Sequence, residues 1–342
     1  MNPDPAKMTT YHWWMNPLRT GPLLASLSVG ALSLHAQPAA IEQLQNNQLT
    51  RQLQALPTGF GAGTNAPELY PGENVDVGPQ RILRLRPRHH YFDVLLDSQA
   101  FYSDNANYAQ QPNAISSWVF VNTVQAAVTP PVIELGPGKV ASAVGLASQW
   151  YNYGDNRLES LDFNAQTLFL SGKYTLGKWE IGAGISLTRL VNQENYNETY
   201  REFMPNFGVQ RILPLNDRMF FTVGDLVDYR LTEVPSVLGS RSDLNDRFDD
   251  VASASFTWLP TRHLVVQPYY RFQFSDYQHD VAGTSGRDDY LQSVGLTAAY
   301  YFTPKISLRA FYNYNRRQSG DPYTPGYLEM NGGLGATLEI KF

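Results

Sequence analysis

The C-terminal stretch from Leu328 to Phe342 constrains the fold more than any other part of the chain. Every second side chain is apolar or glycine: Leu328, Met330, Gly332, Leu334, Ala336, Leu338, Ile340 and Phe342. The residues between them are Glu329, Asn331, Gly333, Gly335, Thr337, Glu339 and Lys341. A strand turns successive side chains to opposite faces, so this stretch carries one greasy face and one polar or small face. Helical spacing would scatter the same residues around a circumference. The run is longer than the usual strand of a soluble protein, and it ends on an aromatic residue. An edge strand of a soluble sandwich is the plainer alternative; the length and the terminal Phe favour a strand whose apolar face meets lipid.

The same alternation recurs upstream at regular spacing, and the terminal stretch makes the twelfth such segment. In the first, Phe92, Val94, Leu96, Ala100 and Tyr102 oppose Asp93, Asp97 and Gln99. In the fourth, Leu161, Phe163, Ala165 and Phe169 oppose Asp162, Asn164 and Gln166, which assigns the former set to lipid. Segments around Trp118–Val128 and Met219–Leu231 are ambiguous in register. Short links such as Leu176-Gly177-Lys178 and Thr303-Pro304-Lys305 alternate with longer polar ones, for example residues 104–116 and 232–249. That asymmetry is expected of an outer-membrane barrel with short periplasmic turns and longer external loops. The link around Pro130-Pro131 is too long for such a turn. An even strand count places both chain ends on the periplasmic side. The fold class that follows is all-β, a transmembrane antiparallel β-barrel of twelve strands with an N-terminal periplasmic arm.

Composition agrees. Charged residues are 17%, aromatics 13% with 21 Tyr, and Cys is absent. Zero Cys excludes a disulfide framework, a thiolate metal site and a Cys nucleophile. A net charge of -5 argues against a general nucleic-acid binder. Mean hydropathy is -0.33, which is compatible with a barrel because only alternate wall residues meet lipid.

The first 90 residues divide in two. Arg19, the apolar run from Pro22 to Leu34 and the small residue Ala36 read as a secretory signal peptide over residues 1–36. Residues 37–90 form an arm: Ile41, Leu44, Leu49, Leu53 and Leu56 sit at roughly helical spacing, and Pro57 ends that pattern. Arg81, Arg84, Arg86 and Arg88 then precede the barrel, residues 91–342. They suit contact with lipid phosphates or with an acidic periplasmic partner; a merely solvated basic stretch is the competing reading.

With these features the chain resembles bacterial outer-membrane β-barrel porins. The resemblance is carried by the signal peptide, by Phe101-Tyr102-Ser103-Asp104-Asn105 at the end of the first strand, and by Phe342 with Leu338 and Ile340. It implies residence in the outer membrane of a Gram-negative bacterium and a terminal assembly signal at Phe342 read by the barrel-assembly machinery. It also implies transport of solutes through the barrel.

Lumen-facing candidates are Asp93, Asp97, Asp162, Glu180, Arg271 and Arg309, with Glu202 and Lys173 beside them. Opposite charges across a pore orient polar solutes; the same charges paired together would instead plug it. The favoured function is a porin-like channel passing small polar solutes or glycans passively. A structural or assembly barrel whose arm docks a periplasmic protein partner is the second reading. A third is an outer-membrane hydrolase built on His279, with Asp276, Asp280, Ser285, Asp288 and Asp289 nearby. The acidic run Asp243, Asn245, Asp246, Asp249 and Asp250 lacks the glycine of a calcium loop, and Arg247 interrupts it. No enzymatic activity, cofactor or metal is expected. The expected partners are outer-membrane lipid, the assembly machinery and a further copy of the chain in a homo-oligomer.

Overall fold

The computed structural model describes residues 39–47, 90–234, 242–279, 286–321, 324 and 326–342. The strands are β1 (Phe92–Ser103), β2 (Ser117–Val128), β3 (Ile133–Leu135), β4 (Gly138–Tyr153), β5 (Phe163–Leu176), β6 (Trp179–Asn192) and β7 (Glu198–Asn216). They continue as β8 (Met219–Glu233), β9 (Arg247–Trp258), β10 (Leu264–Tyr277), β11 (Arg287–Thr303), β12 (Ile306–Ser319) and β13 (Tyr327–Lys341). Residues 39–47 form a helix, α1. Each long strand pairs antiparallel with its neighbours in the chain, and the ring closes where β1 meets β13 and β2 meets β4. The result is a closed twelve-stranded antiparallel barrel with one extra strand. Closure is obligatory in hydrocarbon, where no water meets the N–H and C=O groups of an open edge.

The extra strand is the long link around Pro130-Pro131. Pro130 and Pro131 end β2, and Ile133–Leu135 then folds back onto the start of β4, with Ile133 opposite Val140. The link is a small hairpin at the end of the barrel where β1 begins and β13 ends.

The outer face is apolar and exposed: Leu96, Val124, Leu146, Leu168, Leu187, Leu296, Leu308 and Leu334 all point away from the lumen. An apolar surface of this extent would be a liability in water and is what a lipid-facing wall requires. Exposed aromatics flank it at both ends. Phe92, Trp179, Trp258, Phe302 and Phe342 lie at the turn end, and Tyr102, Trp118, Tyr229 and Tyr290 at the loop end. Phe342 closes the seam: its N–H donates to the carbonyl of Phe92 at 3.0 Å, and the two rings are 6.3 Å apart.

One strand reverses the expected facing. In β5, Leu168 and Leu170 are the exposed outer residues, while Phe163 and Ala165 are buried inside. In β2 both faces are apolar. Trp118 and Phe120 point outward, and Val119 and Val121 are fully buried inward, which is why the alternation there is blurred. Both departures have one cause: the upper lumen holds an apolar cluster, described below.

Gly333 on β13 marks a close approach beside this cluster. It pairs with both Phe101 and Phe311, whose rings meet edge-on at 5.8 Å. A Cβ there would lie 2.2 Å from the Ala100 carbonyl oxygen and 2.4 Å from the Phe101 Cβ. The missing side chain is the space in which the aromatic pair sits.

Placing Arg at Leu296 or Leu334 is expected to lower stability by about 2–4 kcal/mol, the cost of a cation on a lipid face near mid-bilayer. Reversible denaturant titration in lipid vesicles measures this, and an unchanged midpoint would mean that these side chains do not face lipid.

Candidate functional site

The site is the lumen, and its upper half is occupied by α1. Its sequence, Ala-Ala-Ile-Glu-Gln-Leu-Gln-Asn-Asn, combines good helix formers with polar ends able to bond to the wall. Ala39, Ala40, Ile41 and Leu44 pack into one cluster with Phe101, Val119, Val121, Tyr151, Phe163 and Tyr327. The polar residues divide by helical spacing. Glu42 and Asn46, one turn apart, face one side. There Arg317 Nη1 donates to Glu42 Oε1 at 2.6 Å, Tyr327 Oη donates to Glu42 Oε2 at 3.1 Å, and Arg271 Nη2 donates to Asn46 Oδ1 at 2.8 Å. Gln43 and Asn47 face an adjoining side: Tyr108 Oη donates to Gln43 Oε1 at 2.7 Å, and Asn47 Nδ2 donates to Tyr151 Oη at 3.0 Å. Burial also pushes the Tyr108 hydroxyl, which lies in the first external loop, well above its ordinary pKa, so it stays a neutral donor. Between α1 and the wall a cavity of about 30 Å³ remains, lined by Gln99, Arg309 and Asn331 among others. That is room for ordered water and not for a solute.

The wall itself is polar and largely charge-matched. On β7–β9, Arg230 donates to Asp228 at 2.8 Å, Asp249 at 2.7 Å and Glu202 at 3.1 Å, and Arg247 shares Asp249 at 3.0 Å. On β11 and β12, Arg287 and Arg317 converge on Asp289. Tyr277 lies between Arg247 and Arg287, whose guanidinium carbons stand 5.1 and 3.6 Å from its ring centroid. Buried ions are tolerated only when paired in this manner.

The lumen candidates from the sequence fall at different levels. Asp97 is buried, accepting from Thr337 Oγ1 at 2.6 Å and lying 3.5 Å from Arg309 Nη2. Arg309 also donates to Gln99 at 3.0 Å. Glu180 is buried near the turn end, 3.4 Å from Lys173 Nζ. Asp93 lies at the turn-end mouth, with Lys341 Nζ 3.9 Å away. Arg271 is buried beneath α1. Asp162 is elsewhere: it ends the 3-10 helix Asn156–Leu161 in an external loop, where it accepts the Tyr153 N–H at 2.8 Å. The cause is the reversed facing of β5, which takes the residues expected in the lumen to the outside and brings Phe163 in. Arg81, Arg84, Arg86 and Arg88 lie outside the described residues.

His279 stands 3.5 Å from Asp243, on a neighbouring loop. Asp280 and Ser285 lie outside the described residues, and Asp288 and Asp289 point to opposite faces of β11. The acidic run scatters too: Asp246 caps the Thr232 N–H at 2.6 Å, Asp249 joins the arginine cluster, and Asp250 faces outward. Among the described residues no cluster of three or more His, Asp or Glu is placed to hold a metal. The contribution of α1 and of the inward apolar pair Val119 and Val121 escaped the sequence reading. The one available signal was an apolar residue at every position of part of β2.

A closed barrel with an apolar outer belt, two aromatic girdles and a polar, ion-paired lumen defines a transmembrane β-barrel of the outer-membrane type. Residues 233–334 match the family model described as "putative outer membrane beta-barrel porin, MtrB/PioB", and the chain resembles that family in residence as in fold: it is a bacterial outer-membrane protein. No curated protein matches the sequence. Among solved structures, an outer membrane channel from Pseudomonas putida F1 is similar at 14% identity and TM-score 0.47, covering 78% of this chain and 100% of that one. The translocator domain of the autotransporter NalP from Neisseria meningitidis is similar at 12% identity and TM-score 0.44, covering 90% and 99%. The NanC porin is similar at 12% identity and TM-score 0.42, covering 72% and 100%.

Replacing Arg230 by Met strands Glu202, Asp228 and Asp249 with Arg247 alone. The expected loss is about 3–5 kcal/mol of folding stability, read as a lowered denaturant midpoint; a loss below 1 kcal/mol would show that water reaches this cluster.

Proposed function

We propose that this protein is a passive channel for small polar solutes or glycans, and that α1 closes it at rest. The observation that carries the reading is that most of the lumen wall satisfies its own charges. Arg230, Arg247, Arg287, Arg309 and Lys173 each meet a carboxylate supplied by the wall strands. Most of the polar interior is therefore not built around the helix, and outside the patch around Arg271 and Arg317 it remains charge-paired when α1 leaves. A pathway lined with paired charges gives hydroxyl-rich solutes donors and acceptors while presenting no strong barrier of one sign.

The occupied lumen also favours a second reading, a structural or assembly barrel that never conducts, whose arm docks a periplasmic partner through Arg81, Arg84, Arg86 and Arg88. Planar-bilayer recording separates the two. Leu44→Asp places a carboxylate in the apolar cluster and opposes docking of α1. The full-length chain is expected to open rarely and Leu44→Asp to show persistent stepwise conductance, with folding verified by heat-modifiable gel migration. Silence of both folded proteins would refute the channel and leave the structural reading.

A further inference from the structure

We infer that α1 covers an anion subsite made by Arg271, Arg317 and Tyr327, and that the subsite serves carboxylate-bearing sugars; the inference rests on the channel reading for how such a solute would reach it. Glu42, the one carboxylate of α1, behaves as a resident surrogate for that solute. It receives Arg317 Nη1 at 2.6 Å and Tyr327 Oη at 3.1 Å, a charge-assisted pair of the kind guanidinium groups form with free carboxylates.

Arg271 supplies the second, independent observation. It is 1% exposed, yet its partners are neutral: Asn46 Oδ1 and Ser293 Oγ, each at 2.8 Å. Its Nε and Nη1 are buried with no hydrogen-bond partner. Among the described residues no carboxylate forms an ion pair with it, in contrast to Arg230, Arg247, Arg287, Arg309 and Arg317. A sequestered guanidinium with two free donor positions and no counter-ion is costly in a lumen that otherwise pairs its charges. With α1 gone, Arg271, Arg287 and Arg317 on β10–β12 share Asp289 as the only lumen-facing carboxylate of those strands, Asp276 and Asp288 lying on the outward face. The patch then has an excess of positive charge and an open fork at Arg271.

The rest of the lining selects among anions. Glu42 and Asn46 lie one helical turn apart, so the two guanidinium heads are spaced along one face of α1. Tyr108 and Tyr327 present rings 4.9 Å apart beside it. Asn313 and Asn331 supply side-chain amides in the adjoining cavity. Two guanidinium groups for a carboxylate, amides for hydroxyls and aromatic edges for a ring's C–H face describe a carboxylated sugar better than an inorganic ion.

Calorimetric titration of D-glucuronate into the detergent-solubilised full chain tests this, with D-glucose as the neutral control. Glu42→Gln weakens the hold of α1 without adding bulk, and the apparent affinity of a competitor rises with the fraction of uncovered site. Glu42→Gln is expected to bind glucuronate at least tenfold more tightly than the wild type, and glucose to bind neither. Adding Arg271→Gln should abolish the gain; Arg271→Lys, which keeps the charge and loses the fork, is the second variant should Gln impair folding, and should restore only part of it. Equal glucuronate binding by wild type and Glu42→Gln, or a gain that survives both Arg271 variants, overturns the subsite. Glucuronate binding by an electrically silent barrel would retire the channel and keep the subsite, whereas conduction without glucuronate preference would retire the subsite alone.

Discussion

Everything in this molecule follows from the need to satisfy backbone hydrogen bonds where there is no water. A strand in hydrocarbon must be paired on both sides, so the sheet has to close, and β1 must find β13 across most of the chain's length. The seam is in register from Asp93 opposite Lys341 to Ser103 opposite Asn331, and it is finished by the backbone exchange between Phe92 and Phe342. Once the ring is closed, alternate side chains have no choice of surroundings. One set meets lipid and the other meets the lumen.

The lumen then poses a second problem, because twelve strands enclose more space than wall side chains can fill. The protein solves it differently at two sides. Along β7–β12 the wall builds a layer of buried ion pairs, in which Arg230, Arg247, Arg287 and Arg317 are neutralised by Glu202, Asp228, Asp249 and Asp289. Along β1–β5 it turns apolar residues inward, and α1 fills the space between them. The helix is bilingual for that reason: Ile41 and Leu44 serve the apolar side, while Glu42 and Asn46 serve the arginine side.

Much of the barrel could be read from the chain because period-two alternation and turn spacing are local properties. The strand count, the loop asymmetry, the outward set of β1 and β13, and the burial of Asp97, Glu180 and Arg271 all rest on that alternation. It failed at β5 and β2. Phe163, Ala165, Val119 and Val121 are apolar because they meet α1, and apolar residues inside the lumen are indistinguishable by pattern from apolar residues facing lipid. Asp162 was misplaced by the same inversion. Nothing near Arg271 in the sequence marks it as a lumen arginine with no carboxylate partner among the described residues, since that depends on which strands stand beside it.

By itself, then, the amino-acid order determined a membrane-spanning cylinder of antiparallel strands, because hydrophobic alternation and short turns act between residues a few places apart. The tertiary structure alone decided what fills the cylinder. Glu42 meets Arg317 and Tyr327, and Asn46 meets Arg271, across more than 200 positions of chain. Such pairings have no local signature, and they exist only once closure has brought both ends of the sequence around the same cavity.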